Sequence, residues 1–129
     1  MLNVKSFTFN PVEENTYVLY NEQGQCCIID PGCYFPEERD ELKTGIEKTG
    51  LTPVLLLNTH CHLDHVFGNK FVYETWSLPL HMHEKEIPVL ERAASLARRQ
   101  DQRLAALSGV PNRRRIGTIT AFEIGDAGG

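Results

Sequence analysis

A chain of 129 residues with 41% hydrophobic and 23% charged residues has the size and make-up of one soluble domain able to close its own core. Its net charge of −4 excludes the strong basic field with which a protein gathers nucleic acid or an anionic membrane surface. No apolar run reaches the ~18–20 residues of a transmembrane helix and "MLNVKSFTFN" lacks the apolar core of a signal peptide, so no membrane role is expected and the expected address is cytoplasmic.

In chain order, "KSFTF" (5–9) and "NTYVLYN" (15–21) mix aromatic or β-branched residues with polar ones and predict two strands, with "EQG" (22–24) as a turn. "QCCIIDPG" (25–32) predicts a third strand, stopped by Pro31 and Gly32, which completes an antiparallel meander. Cys26 and Cys27 fall inside that strand and are expected to pack in the core, while four cysteines without a C-x-x-C pair argue against a disulfide scaffold. Residues 36–49, "PEERDELKTGIEKT", open on proline and acids as a helix N-terminus does, and Leu42 and Ile46 lie four apart on one face. "PVLLLNT" (53–59) is a short continuous apolar run, the signature of a strand covered on both faces; "WSLPLHMH" (76–83) repeats it after a helix-like "VFGNKFVYET" (66–75). Residues 84–107 return to helical spacing, with Leu90, Ala94, Ala97, Leu104 and Leu107 as the apolar positions. The order shifts from β-strands alone to alternating β and α, which predicts a layered α/β protein whose sheet has antiparallel and parallel parts.

Composition breaks near residue 92. Residues 1–92 contain no alanine and carry a net charge of −7, whereas residues 93–129 contain seven alanines, carry +3 and use arginine alone as the basic residue. Residues 93–129 are therefore set apart as a continuation of uncertain origin: a junction, a shifted reading frame or an appended tail. The first 92 residues carry the functional reading.

The polar density of the chain peaks in "NTHCHLDH" (58–65), directly behind the leucine run. Open α/β sheets place their sites at the carboxyl ends of strands, and this cluster begins where the strand ends. If residues 60–62 are extended, His60 and His62 share one face and Cys61 points away. Asp64 and His65 add an oxygen and a nitrogen a few positions on. Imidazole and carboxylate together suit borderline divalent ions such as Zn²⁺.

The pattern T-H-x-H-x-D-H, with "NTYVLY" and "CIIDPG" upstream, "LLLNTHCHLDHVFGN" around it and "LPLHMHEKE" after it, closely resembles the metallo-β-lactamase superfamily of hydrolases, and within it the glyoxalase II-like branch. The resemblance covers residues 1 to about 92 and implies the N-terminal part of an αββα sandwich. It implies that His60 and His62 ligate a first metal ion and Asp64 and His65 a second, with Asp64 also given the catalytic role. Asp30 matches the upstream acidic residue that orients a ligand from behind; Gly68 and Asn69 are expected to be structural. Two Zn²⁺ ions are the expected cofactors, with Fe or Mn as alternatives, and the implied chemistry is attack of a metal-bound hydroxide on the carbonyl of a small thioester or ester.

The family completes its site with a further histidine, a bridging aspartate and a last histidine from the C-terminal half. No histidine follows His83 here, and Asp126 in "AFEIGDAGG" is a poor match for the bridging carboxylate, so the chain is expected to be truncated. An exposed inner sheet face would then drive self-association. His81 and His83 form a second H-x-H that can reach a metal, but strand-end packing is the favoured account. "NRRRIG" (112–117) is a phosphate-binding stretch or a solvated basic turn, a weak nucleic-acid signal without interleaved aromatics. Beside the hydrolase, two readings remain: a mononuclear iron oxygenase like the persulfide dioxygenases of this branch, and a catalytically incomplete metal-binding fragment.

Overall fold

The computed structural model describes residues 2–59, 67–78, 80–83, 85, 88–89 and 112–115. Among these, the elements run β1 (Asn3–Phe9), β2 (Glu14–Tyr20), β3 (Gln25–Ile29), α1 (Pro36–Lys48), β4 (Thr52–Asn58), α2 (Asn69–Trp76), β5 (Leu80–His83) and β6 (Asn112–Arg115). The strands form one mixed sheet in chain order. β1, β2 and β3 pair antiparallel, and β3 to β6 pair parallel, which is the α/β sheet with two kinds of pairing that the sequence predicts. No described helix is long and apolar enough to cross a membrane.

Side-chain turns set the meander. Asn10 takes a left-handed φ of 59° and its Oδ1 accepts the Val12 N–H at 3.0 Å, so the chain reverses between β1 and β2. Before β3 the Asn21 Oδ1 accepts the N–H groups of Gln23 (3.1 Å) and Gln25 (3.0 Å), and Gly24 takes the left-handed φ, 82°.

α1 begins at Pro36, and the Glu38 carboxylate reaches back to accept the N–H groups of Tyr34 (2.8 Å) and Phe35 (3.1 Å). Phe35 offers no side-chain acceptor, so this is half of a capping box. A helix of 13 residues is marginal alone. Leu42 and Ile46, both fully buried, contribute about 1.5–3 kcal/mol each, which outweighs the ~1 kcal/mol that Gly45 costs a helix interior. Gly45 is there for contact: a Cβ on it would stand 2.9 Å from the Phe7 ring.

The main core lies between the helices and one face of the sheet. Val18, Ile28, Leu56 and Leu80 form a row in register across β2 to β5 and pack with Leu42, Ile46 and Val72. On the opposite face Cys27 and Leu55 are buried, with Leu19, Ile29, Val54 and Leu57 packed around them. β4 is thus covered on both sides, as its unbroken apolar run predicts. The β3–β4 register slips between Cys26 and Cys27 so that Val54 is passed over, next to Pro53, which has no N–H to give the ladder. Cys26, Cys27 and Cys33 are free and buried; burial pushes all three thiols up to about 12.

Two expectations are corrected. Trp76 and Ser77 are not the start of a strand: Trp76 ends α2, where its ring meets Phe71 edge-on at 6.0 Å, and Ser77 terminates the helix with a left-handed φ of 58°. The segment "NRRR" is not a turn but β6, pairing Leu80↔Asn112 through His83↔Arg115. Its strand character comes from main-chain pairing, which a run of like-charged side chains does not advertise. Of the helix expected over 84–107, residue 85 lies in a 3₁₀ turn, residues 88–89 are helical and the other positions lie outside the described residues, as does Asp126.

Candidate metal centre

β4 runs out at Asn58 and Thr59, at the sheet's carboxyl edge. His60, His62, Asp64 and His65 follow directly and lie outside the described residues, as does Cys61. What is described is the chain on both sides of them, and both sides are held to the same place.

Asp30 holds the entry. It follows β3 with a left-handed φ of 52°, a conformation that costs a non-glycine residue about 1–2 kcal/mol and is further disfavoured before Pro31. Hydrogen bonds offset that cost. The Asp30 N–H donates to the Leu57 carbonyl at 2.9 Å, extending the parallel ladder by one step. Its carboxylate, 4% exposed, accepts the Thr59 N–H at 2.7 Å on Oδ1 and the Thr59 hydroxyl on Oδ2. Its carbonyl accepts the Thr16 hydroxyl at 2.9 Å. Asp30 therefore grips Thr59, the residue immediately before His60, by both its N–H and its hydroxyl.

The exit is held at Gly68, whose N–H donates to the Pro31 carbonyl at 2.7 Å. A Cβ on Gly68 would stand 2.7 Å from that carbonyl oxygen and closer still to Cys33 Sγ, so only glycine permits this approach. Entry and exit also touch each other. Asn69 Nδ2 donates to Asn58 Oδ1 at 2.8 Å and Asn58 Nδ2 to Asn69 Oδ1 at 3.3 Å, with both residues at most 2% exposed.

The loop after β3 that receives these contacts is itself braced. Asn10 Nδ2 donates to the Gly32 carbonyl at 3.1 Å, and the Asn10 N–H donates to Glu38 at 2.7 Å. The Thr16 hydroxyl accepts the Gly32 N–H at 3.0 Å and shares its proton between the Asp30 carbonyl and Glu14 Oε2, each 2.9 Å away. Glu14 and Thr16 alternate with Val18 on the core face of β2, 4%, 0% and 0% exposed. Polar residues at core positions of a strand are the sequence signal that would have found these supports.

The donor set fits a metal: three imidazoles and a carboxylate within six positions, on a segment whose two ends are fixed. Elsewhere, no described group of three or more His, Cys, Asp or Glu is placed to hold an ion. His81 is buried at 8% exposure on the sheet face away from the helices, in register with Leu57. A cleft of about 160 Å³ lined by Arg39, Phe67, Lys70, Phe71 and Glu74 is smaller than the ~300–1,000 Å³ of ordinary ligand pockets.

Several known proteins are similar to this chain. The "Probable metallo-hydrolase YqgX" of Bacillus subtilis (strain 168) is 37% identical over 76 residues, 59% of this chain and 34% of YqgX. The hydroxyacylglutathione hydrolase of Buchnera aphidicola subsp. Baizongia pistaciae (strain Bp) is 36% identical over 64 residues, 50% of this chain and 24% of that protein. The crystal structure of TTHA1623 in a di-iron-bound form superposes with a TM-score of 0.69 at 30% identity, covering 92% of this chain and 57% of TTHA1623. The chain thus spans between about a quarter and a third of these curated relatives. The family model of the Metallo-beta-lactamase superfamily matches residues 10–128, from the β1–β2 turn through the donor segment and β6, and with the mixed α/β sheet already described this chain belongs to that superfamily.

Proposed function

We propose that this chain forms the metal-binding part of a glyoxalase II-like hydrolase acting on a small thioester or ester. The observation that carries the reading is the pinning of both ends of H-x-H-x-D-H at the carboxyl end of β4, through Asp30, Gly68 and the Asn58–Asn69 pair. His60 and His62 would hold one ion, and Asp64 and His65 a second. The Asp64 carboxylate would also orient the attacking water, and Asp30 keeps Thr59, and hence the start of the donor segment, in place. When bound, such ions bring the pKa of a water to about 7 and polarise the carbonyl under attack. The names of YqgX and of the Buchnera hydroxyacylglutathione hydrolase support hydrolysis. Free cysteines among the described residues are consistent with action in the cytoplasm.

A second reading is a mononuclear iron oxygenase of the persulfide-dioxygenase kind; the di-iron-bound form of TTHA1623 supports iron as a metal for this fold, while the single-iron count is left to measurement. Metal analysis by plasma emission spectroscopy with a thioester assay tests both. Two zinc ions per chain with thioester turnover support the hydrolase; one iron with oxygen uptake on a persulfide supports the oxidoreductase; metal without turnover marks a metal-binding part that needs further chain. His62→Ala lowers metal content more than His83→Ala does, and equal losses would point to the second H-x-H. The sheet face carrying Val4 (60% exposed), Tyr17 (39%), Leu19, Ile29 and Leu57 supports self-association of the isolated chain, which light scattering on the same samples reads.

A further inference from the structure

The entry and exit of the donor segment are each tied to the loop after β3, yet a buried pair of side-chain amides joins them a second time. Asn58 and Asn69 are 1% and 2% exposed. A buried amide costs free energy unless fully hydrogen-bonded, and two leucines would fill similar volume without that cost. What the amides add is geometry. Two reciprocal bonds, 2.8 Å and 3.3 Å, set both the distance and the mutual orientation of the last residue of β4 and the first of α2. Apolar contact sets neither.

We propose that the Asn58–Asn69 amide pair is a positioning device that holds the two ends of residues 60–66 at one spacing and thereby sets the affinity with which His60, His62, Asp64 and His65 take a metal ion. This rests on the metal-centre reading above. The pair acts through the segment and is not among the donors. Fixing both ends of a short segment removes arrangements that the chain between them would otherwise sample, so less ordering is left for the ion to impose.

The test uses the full 129-residue chain and the double variant Asn58→Leu/Asn69→Leu. Two readouts are taken: the thermal midpoint of the metal-free protein and zinc affinity by competition with a chelating dye. Asn58 Nδ2 also lies 3.5 Å from Asp30 Oδ1 and from the Leu57 carbonyl, and Asp30 Oδ1 keeps the Thr59 N–H when that contact is lost, so the metal-free midpoint is read beside the affinity to separate a loss of fold from a loss of positioning. Zinc affinity falls about 10- to 100-fold, the scale of lost support behind metal ligands. Unchanged affinity in the folded double variant overturns the proposal and leaves the pair as packing alone. Should the double variant lack the native far-UV spectrum, Asn69→Ser carries the same comparison, and unchanged zinc affinity there overturns the proposal equally. An unaltered chain that takes up no zinc overturns the metal-centre reading itself, an outcome distinct from an unaltered chain that binds and variants that bind as well.

Discussion

Gly68→Ala is the sharpest test of how the donor segment is held. The new methyl group would stand 2.7 Å from the Pro31 carbonyl oxygen, against 3.4–4 Å for ordinary contact, and it would meet Cys33 Sγ as well. The carbonyl belongs to the backbone of a loop braced by Thr16, Asn10 and Glu38, so it yields little. Relief comes by moving residues 67–69 outward, which breaks the 2.7 Å hydrogen bond from Gly68 to Pro31. Overpacking costs about 1–3 kcal/mol and the buried hydrogen bond about 1 kcal/mol more, so a loss of about 3 kcal/mol is expected. That is a large part of the ~5–15 kcal/mol of a typical domain. Urea unfolding of the metal-free chain, followed by the fluorescence of its single tryptophan, Trp76, measures it. Adding Cys33→Ala restores only part, because the carbonyl remains. Gly45→Ala is the control: its Cβ would meet the end of the Phe7 ring, a movable side chain, and alanine gains about 1 kcal/mol of helix propensity, so the net change is small. A Gly68→Ala loss below about 0.5 kcal/mol, or equal losses at both glycines, would refute the reasoning.

Asp30→Ala removes both carboxylate contacts to Thr59 and puts a less tolerant side chain at φ 52°, for a loss of about 2 kcal/mol or more; Asp30→Gly keeps the first loss but relieves the backbone, so it is the milder by about 1 kcal/mol. The same urea curves check the order, and an alanine variant as stable as the glycine variant would remove backbone strain from the account. Cys26, Cys27 and Cys33 resist a disulfide-exchange reagent at pH 8 in the folded chain and react once it unfolds. Burial raises these thiols from 9.0 to about 12, so their contribution to stability is complete below pH 9 and declines as the pH climbs toward 12. Rapid labelling of these three in the native state, mapped by mass spectrometry, would contradict the burial.

By itself the sequence determined the local elements and the kind of chemistry. Pro36 with Glu37, Glu38, Leu42 and Ile46 announces α1, the leucine run announces a strand buried on both faces, and the four candidate donors carry the expectation of a metal because imidazole and carboxylate types are written residue by residue. These signals have a period or a chemistry that survives without the fold. Three features do not. β6 is a strand through main-chain pairing with β5, and "NRRR" has no apolar alternation to reveal it. Trp76 belongs to α2 because Ser77 turns left-handed after it, where a sequence of aromatic and apolar residues reads equally as strand. The support of the donor segment depends on register: the parallel pairing of Ile29 with Leu57 carries Asp30 beside Asn58 and Thr59, 28 and 29 positions away. No spacing in the chain encodes that alignment, because it is set by how two strands and the crossover helix pack over a shared core. Only the tertiary structure therefore decided which residues hold the ends of the segment, while the sequence had already decided what the segment offers to hold.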